Sequence, residues 1–507
     1  MSITDDLIVA SATLCKTTGL LNKDYNHQIR NHVTVLRKLL SNKDLDSVAQ
    51  DDTLLNVSED SYFNFDPSQD SITYLFLLHL QIRARREASG QDLPADLLPS
   101  GKLWLKSAYF LRSFDPIQVR YAGHEWRQLV ELVVQAAQAS PRPFLAVRLV
   151  RDAMLRLDPS CAVLTSTHLL LTHLALFSKA YTCALPVLER QISHVPISAG
   201  RHFSSSLQIL CAEHESSLSF LNEETGLSSK LLDRDYLRYF LYGGMIYMAL
   251  KKWDKASHFF GTVISMPTVG SVSMIIVEAY KKWILVGLLE KGKLCPPPNI
   301  TAPHVMKTIQ SITKPYSNLA QAFESGDKKR LEAEVDAGQD VWRVDNNMGL
   351  VSQVLDEFAR HSLMKTRKVF AALTVGELSA QTSPPNGKDD GITESKVASL
   401  IMSGAIDATL VHSQVCSNDS ILRFATANSM LPQCHEIEMQ AQLQIQGRLL
   451  ESLFGHMEES NLRLGLSDEF IDNSIKGQSW TGAGEINPSL GGATDLEVEE
   501  DIMGDLA

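Results

Sequence analysis

DYLRYFLYGGMIYMALKKWDKASHFFGTVISMP, from Asp235 to Pro267, reads as two helices joined by a short turn. The first would carry Phe240, Gly243, Gly244 and Tyr247, and the second Ala256 and Phe260. That spacing matches the tetratricopeptide pattern of aromatic, x2, large, small, x2, Tyr, then Ala-x3-Phe. Gly243 stands where Leu is usual, and Pro267 falls one place early. The small residues Gly244 and Ala256 let the paired helices approach. Tyr247 and Phe260 then fill the groove between them. A lone helical hairpin cannot bury its apolar face, so the pattern demands packed neighbours on both sides. It points to scaffolding rather than chemistry.

Helical candidates lie on either side. Ile275–Leu289 is strongly apolar and is stopped by Gly292 and the Pro296–Pro298 run. Upstream, Pro116–Ala137 places Val119, Trp126, Leu129, Val130 and Val133 near one face. Phe144–Leu157 follows, then a hairpin of Leu164–Lys179 and Tyr181–Ser193. Ala184, Leu188 and Pro196 repeat the small, large, proline spacing, 72 residues before Ala256 and close to two periods of ~34 residues. Downstream come 304–312, 316–324 and 328–336. RVDNNMGLVSQVLDEFARHSL then brings Val351, Val354, Leu355 and Phe358 to helical spacing, with Asp345 or Asn346 as N-cap.

The 507 residues are 44% hydrophobic and carry a net charge of -12. That supports a sizeable core in two or three domains. It disfavours a phosphate backbone gripped by the overall field. Seven cysteines at 15, 161, 183, 211, 295, 416 and 434 show no C-x-x-C spacing, which suits free thiols in a reducing compartment. The N-terminus lacks the basic and apolar regions of a signal peptide. No uncharged apolar run reaches the ~18 residues of a membrane span. A soluble intracellular protein is expected.

Residues 1–110 form an N-terminal helical region, partly irregular. His32–Leu40 belongs to one helix, Ser41–Asp70 is polar and acidic, and Ser71–Ala88 is a helix, apolar first and basic last. The basic end complements the helix dipole, or serves as a basic partner-binding patch. Ser89–Gly101 looks like a surface loop. Residues 111–234 are a helical-repeat solenoid, and 235–362 are the helical part of a domain that 363–424 complete.

Residues 363–424 change character and outline a winged helix. Thr366–Ala372 and Thr374–Gln381 are two short helices, and a flexible insert follows at 382–391. Thr393 caps a third helix bearing Val397, Leu400 and Ile401. Ile406, Ala408 and Leu410 then alternate, as do Leu422 and Phe424, across a hairpin turn. Residues 435–464 form a last helix, where Met439, Leu443, Leu450, Leu453 and Met457 make a heptad stripe with Gln446 in the seam. It packs on its own domain or joins partner helices in a bundle. The tail, 475–507, is acidic and expected to be disordered; from Thr481 it holds seven acidic residues and no basic one.

No stretch declares a catalytic, metal or cofactor site, and no enzyme is expected. Gly287–Lys293 fits G-x-x-x-x-G-K, but Leu294 stands where a phosphate loop needs Ser or Thr, and a helix precedes it. His168 and His173 lie five apart, off the i, i+4 spacing that aims two imidazoles at one zinc. Neither H-E-x-x-H nor His-x-His with a spaced Asp occurs, and no cysteine sits in an activating motif. From Leu363 to Phe424, six Lys or Arg balance six Asp or Glu, and the third helix offers only Lys396. A DNA reader concentrates basic residues there. The structural reading is favoured, in which the hairpin's open edge (Ile406, Ala408, Leu410, Leu422, Phe424) pairs with another sheet.

Helical repeats, a winged helix and a terminal helix resemble the PCI domain of the proteasome lid, the signalosome and a translation initiation factor. FDPIQVRYAGHEWRQLVE, YGGMIYMALKKWDKASHFF, EAYKKWILVGLL, DNNMGLV and MSGAIDATL resemble the family of third subunits of the COP-nine (constitutive photomorphogenesis nine) signalosome. The likeness runs from about Phe114 to Phe424, and the 382–391 insert has no counterpart in it. It implies a mainly α fold: a right-handed tetratricopeptide-like solenoid, a winged helix and a C-terminal helix. It also implies a non-catalytic scaffold subunit of the complex that removes Nedd8 from cullin-RING ubiquitin ligases, in nucleus and cytoplasm. Winged helices of that family assemble edge to edge, here through 405–424, and their last helices, here 435–464, enter a common bundle. The implied neighbours are the first and eighth subunits, with no cofactor, no membrane and no direct nucleic acid. The alternatives are a related proteasome-lid subunit or a PCI protein of a nucleic-acid-binding complex.

Overall fold

In the computed structural model the sequence from Asp235 onward becomes a helical hairpin, with further helices before and after it. The described residues are 22–41, 66–90, 93–196, 217, 220–266, 273–298, 303–382, 394–402, 406, 408–411, 420–424 and 433–465. The readings for the first 21 residues, Pro267, most of the 382–391 insert, the Thr393 cap and the 475–507 tail lie outside them.

Among the described residues five helices lead in: α1 (Asn22–Ser41), α2 (Ser71–Ser89), α3 (Lys102–Ser113), α4 (Pro116–Val119) and α5 (Gly123–Gln138). The helix expected over Pro116–Ala137 is broken by a 3-10 turn at Arg120–Ala122. Asp115 caps α4 by accepting from the Ile117 N–H at 3.1 Å, with Pro116 in the first turn. The expected surface loop 89–101 is pinned by a 3-10 turn, Ala95–Leu97, whose Leu97 is fully buried.

Next come α6 (Phe144–Leu157), α7 (Ser166–Phe177) and α8 (Tyr181–Leu188), then the pair α9 (Asp233–Ala249) and α10 (Trp253–Ile264). α8 stops at Leu188, short of the expected Ser193. Pro186 lies inside it, where it can donate no backbone bond. Ser193 and His194 turn back instead, and their N–H groups donate to the Ala162 carbonyl at 2.9 and 3.2 Å. α7 opens on Thr165, whose N–H and hydroxyl both meet His168 Nδ1, at 3.2 and 2.7 Å. The ring therefore takes the place of the Glu or Gln of a capping box. The bond from the Thr165 N–H needs Nδ1 as an acceptor, which only the neutral imidazole supplies.

The α9–α10 hairpin explains the glycine pair. A Cβ on Gly244 would sit 2.5 Å from the Phe260 ring, and one on Gly243 would sit 2.5 Å from the Phe259 ring. Gly243 thus departs from the usual Leu because Phe259 fills that space, its ring tilted against Tyr239 and Phe240 and edge-on to Tyr247. Tyr247, Ala256 and Phe260 are buried to within 1% and Phe240 to 8%. Lys251, in the left-handed region at φ 56°, reverses the chain between the helices. Neighbours lie on both sides. Before it, α7 meets α9 through His168 against Tyr239 and His173 against Tyr242. After it, α10 packs on α11 (Met274–Lys291).

α11 is buried on nearly every side and ends at Gly292, φ 65°, as its composition predicts. α12 (Pro303–Ile312), α13 (Lys314–Ser325), α14 (Lys328–Ala337) and α15 (Gln339–Val344) continue the array to α16 (Met348–Arg367). Asn347, rather than Asp345 or Asn346, occupies the N-cap position of α16, with no side-chain cap bond. Asp345 is taken by other partners: its two carboxylate oxygens meet Lys281 Nζ and the Tyr316 hydroxyl, each at 2.7 Å. Asn347 Nδ2 donates to that same hydroxyl at 2.8 Å. This network ties α11 and α13 to the turn before α16.

Residues 363–424 differ from the expected helix, helix, helix, hairpin. Leu363 and Thr366 finish α16, so no separate helix covers Thr366–Ala372. Ala372–Thr374 is instead a strand, β1. α17 (Val375–Thr382) and α18 (Glu394–Met402) precede β2 (Ala408–Val411) and β3 (Ile421–Phe424). The antiparallel sheet runs β1-β3-β2, with Leu373 opposite Leu422 and Ala408 opposite Phe424. Three residues are too few for β1 to display an alternating pattern. Leu363, Leu378, Val397, Ile406, Ala408, Leu422 and Phe424 form its own core. The last described helix, α19 (Gln433–Gly465), contains the point, after Leu449, where the chain divides into two compact units. The fold is thus a mainly α solenoid with a small winged-helix region.

Two outcomes test this packing. Gly244→Leu forces side-chain atoms into the Phe260 ring and lowers stability by about 1–3 kcal/mol, read as a lower melting temperature. An unchanged melting temperature would remove the close approach from the hairpin. The second concerns His168, whose burial lowers its pKa to about 4 against the nearby charge of Asp158. The unfolded chain takes up that proton below about pH 6.5, whereas the folded chain does not until about 4. Stability therefore falls as pH drops through this window, by about 3 kcal/mol for this residue. His168→Gln keeps an acceptor for the capping box and removes the titration. Denaturant midpoints should fall less steeply from pH 6.5 to 4 in the variant, and equal slopes would contradict the assignment.

Candidate interaction surfaces

The motifs that resemble catalytic elements have structural explanations. Gly287 is buried within α11 and Gly292 is its left-handed C-cap, so Gly287–Lys293 forms a helix end rather than a phosphate-cradling loop. His168 is buried at the start of α7, whereas His173 is exposed and rests against Tyr242. Among the described residues no group of three His, Cys, Asp or Glu is placed to hold a metal. Cys161 and Cys295 are buried free thiols. Burial pushes the Cys161 thiol up to about 12, with Asp158 adding to the effect, the reverse of an activated nucleophile. No described helix is long and apolar enough to cross a membrane.

The winged-helix residues divide unexpectedly. Ile406, Ala408, Leu422 and Phe424 are 3%, 9%, 0% and 4% exposed, and Leu410 packs against the same core. Leu422 and Phe424 sit on the central strand, not at an edge. As side chains these five residues build the subdomain. β1 and β2 are the outer strands, so edge pairing would use their backbone groups. The outward face carries Val411 directly opposite Ile421, both exposed. Alternation finds which residues share a face. It does not reveal a third strand, and that strand is what moves β3 from the edge to the middle.

α19 presents the opposite case. Met439, Leu443, Leu450 and Met457 are 46%, 62%, 54% and 58% exposed, and Leu453 is half-buried. At 3.6 residues per turn they line one face with Gln446, at spacings of four and three. Leu464, 60% exposed, extends the stripe seven residues past Met457, and Phe454 widens it. Leu464 falls on the same heptad as the others and could have been read with them. A row of exposed apolar side chains over 26 residues, from Met439 to Leu464, is a surface built to be covered.

Comparison with known proteins agrees with this architecture. Residues 29–305 match the family model described as COP9 signalosome complex subunit 3, N-terminal helical repeats. The chain is 40% identical to the COP9 signalosome complex subunit 3 of Emericella nidulans, over 96% of each. It is 27% identical to that of Neurospora crassa over 96% of each. With that of Dictyostelium discoideum it shares 29% over 59% of this chain and 64% of the relative. The matched repeats contain the α9–α10 hairpin and its neighbours α7 and α11. The chain therefore belongs to the family of COP9 signalosome subunit 3, and is a subunit of that kind.

Proposed function

We propose that the chain is a non-catalytic scaffold of the signalosome that removes Nedd8 from cullin-RING ubiquitin ligases. The observation that carries this reading is the exposed stripe of α19. A soluble protein gains nothing from leaving five or six large apolar side chains in water along one helix face. Covering them in a bundle of partner helices is worth about 25 cal/mol per Å2 of apolar surface removed from water. The winged helix adds orientation, since the backbone edge of β2 or β1 can extend a neighbour's sheet. The first and eighth subunits are the proposed neighbours, and nucleus and cytoplasm the proposed locations. Contact with cullin-RING ligases is then indirect, through the assembly. Even charge across 363–424 disfavours direct binding of nucleic acid.

Co-purification from the native cell tests the reading. The intact chain should recover the deneddylase and the other PCI subunits. The variant Leu443→Ser, Leu450→Ser, Met457→Ser removes three anchors, each worth about 1.5–3 kcal/mol when buried. It should weaken recovery more than about a hundredfold while leaving the melting temperature unchanged, because these side chains are exposed in the chain alone. Recovery of proteasome ATPases without the deneddylase, or full recovery by the variant, would contradict it.

A further inference from the structure

The basic end of α2 does more than complement a helix dipole. It forms one wall of a cleft of about 660 Å3 whose charged lining is Arg37, Arg83, Arg86, Glu125 and Glu131. Most of the charges there are matched within the chain. Arg37 is bidentate to Glu125, at 2.6 and 2.9 Å. Arg83 meets Glu87 at 2.8 Å, and Glu131 lies 3.8 Å from Arg127. His79 Nε2 is fixed by the Glu125 carbonyl at 2.8 Å.

Arg86 is the exception. Its Nε is buried and has no hydrogen-bond partner, and no ion pair joins its guanidinium to a described residue. The next arginine, Arg85, points to a different partner, Asp96 at 3.3 Å. Arg86 is half-buried, with its Nε the atom taken from water. Burying that donor without an acceptor is costly, and a planar oxyanion that meets the guanidinium fork supplies one.

We propose that this cleft is a docking site for a peptide segment of a partner protein, whose Asp or Glu carboxylate pairs with Arg86. Charge selects the class of ligand. Three arginines against two glutamates leave the lining with one positive charge. That matches one carboxylate, and the two glutamates repel a more highly charged group. Size selects a peptide over a lone anion, since 660 Å3 is far more than a carboxylate fills. Ile82 and Leu132 give the floor an apolar surface, and the amide of Gln135 can bond a peptide backbone. The site lies in the N-terminal helices and is independent of the α19 bundle.

The test uses the full chain and a fluorescent peptide, acetyl-Gly-Gly-Glu-Gly-Gly-amide, with its Gln and phosphoserine twins, followed by anisotropy. Saturable binding of the Glu peptide is expected, at least tenfold weaker for the Gln twin and no tighter for the phosphoserine twin. Arg86→Met should abolish it, Arg86→Lys should weaken it, and Arg85→Met should leave it unchanged, with all variants retaining the parent's circular dichroism. Equal binding of the Glu and Gln peptides, an effect of Arg85→Met equal to that of Arg86→Met, or no saturable binding would overturn the proposal. Tighter binding of phosphoserine would replace the carboxylate with a phosphate and overturn it equally.

Discussion

The close approach of α9 and α10 is the constraint on which the rest depends. Two aromatic rings, Phe259 and Phe260, lie where the Cβ atoms of Gly243 and Gly244 would otherwise be. Glycine lowers the helical propensity of α9 by roughly 1 kcal/mol per residue. Contact between the helices offsets that cost by burying Tyr247, Ala256 and Phe260 almost completely. A hairpin this tight leaves its outer faces apolar, so α7 and α11 must cover them. The requirement passes from helix pair to helix pair, and a solenoid results.

Polar groups fix the order of that stack at the points where apolar packing alone is permissive. Asp345 binds Lys281 and Tyr316 together, and both side chains of the Lys281–Asp345 pair are 12% exposed. Removing one partner from such a pair strands the other, which makes it selective for one arrangement of α11, α13 and α16. Arg37 and Glu125 play the same part between α1 and α5. Burial alone would raise the Glu125 pKa, but the Arg37 bonds outweigh it and hold the carboxyl below its usual range. The solenoid is thus complete within the chain, whereas α19 is not. One core is satisfied internally and one stripe awaits partners, and that contrast separates the folding part from the assembling part.

The sequence shows the first of these more clearly than the second. Tyr247, Ala256 and Phe260 reveal the hairpin because helix pairing restricts residue size at fixed spacings. Gly243 looks anomalous until the Phe259 ring is seen, since a contact between helices leaves no trace in the spacing of one. The heptad of α19 is visible in Met439, Leu443, Leu450, Leu453 and Met457, but whether it faces a core or water is a property of what surrounds it. β1 is hidden because it is three residues long and runs straight into α17 at Val375. Without it, Leu422 and Phe424 look like an edge instead of a centre. Asp345 reads as a helix cap from its position, yet its oxygens are claimed by side chains 29 and 64 residues away.

Amide hydrogen exchange on the free chain and on the assembled complex tests this division most directly. Helices α9, α10 and α11 should exchange slowly and equally in both states, because their partners are inside the chain. Residues 433–465 should exchange quickly in the free chain and slowly in the complex. Equal protection of 433–465 in both states, or protection of α9, α10 and α11 acquired only on assembly, would contradict a self-sufficient solenoid carrying an uncovered assembly helix.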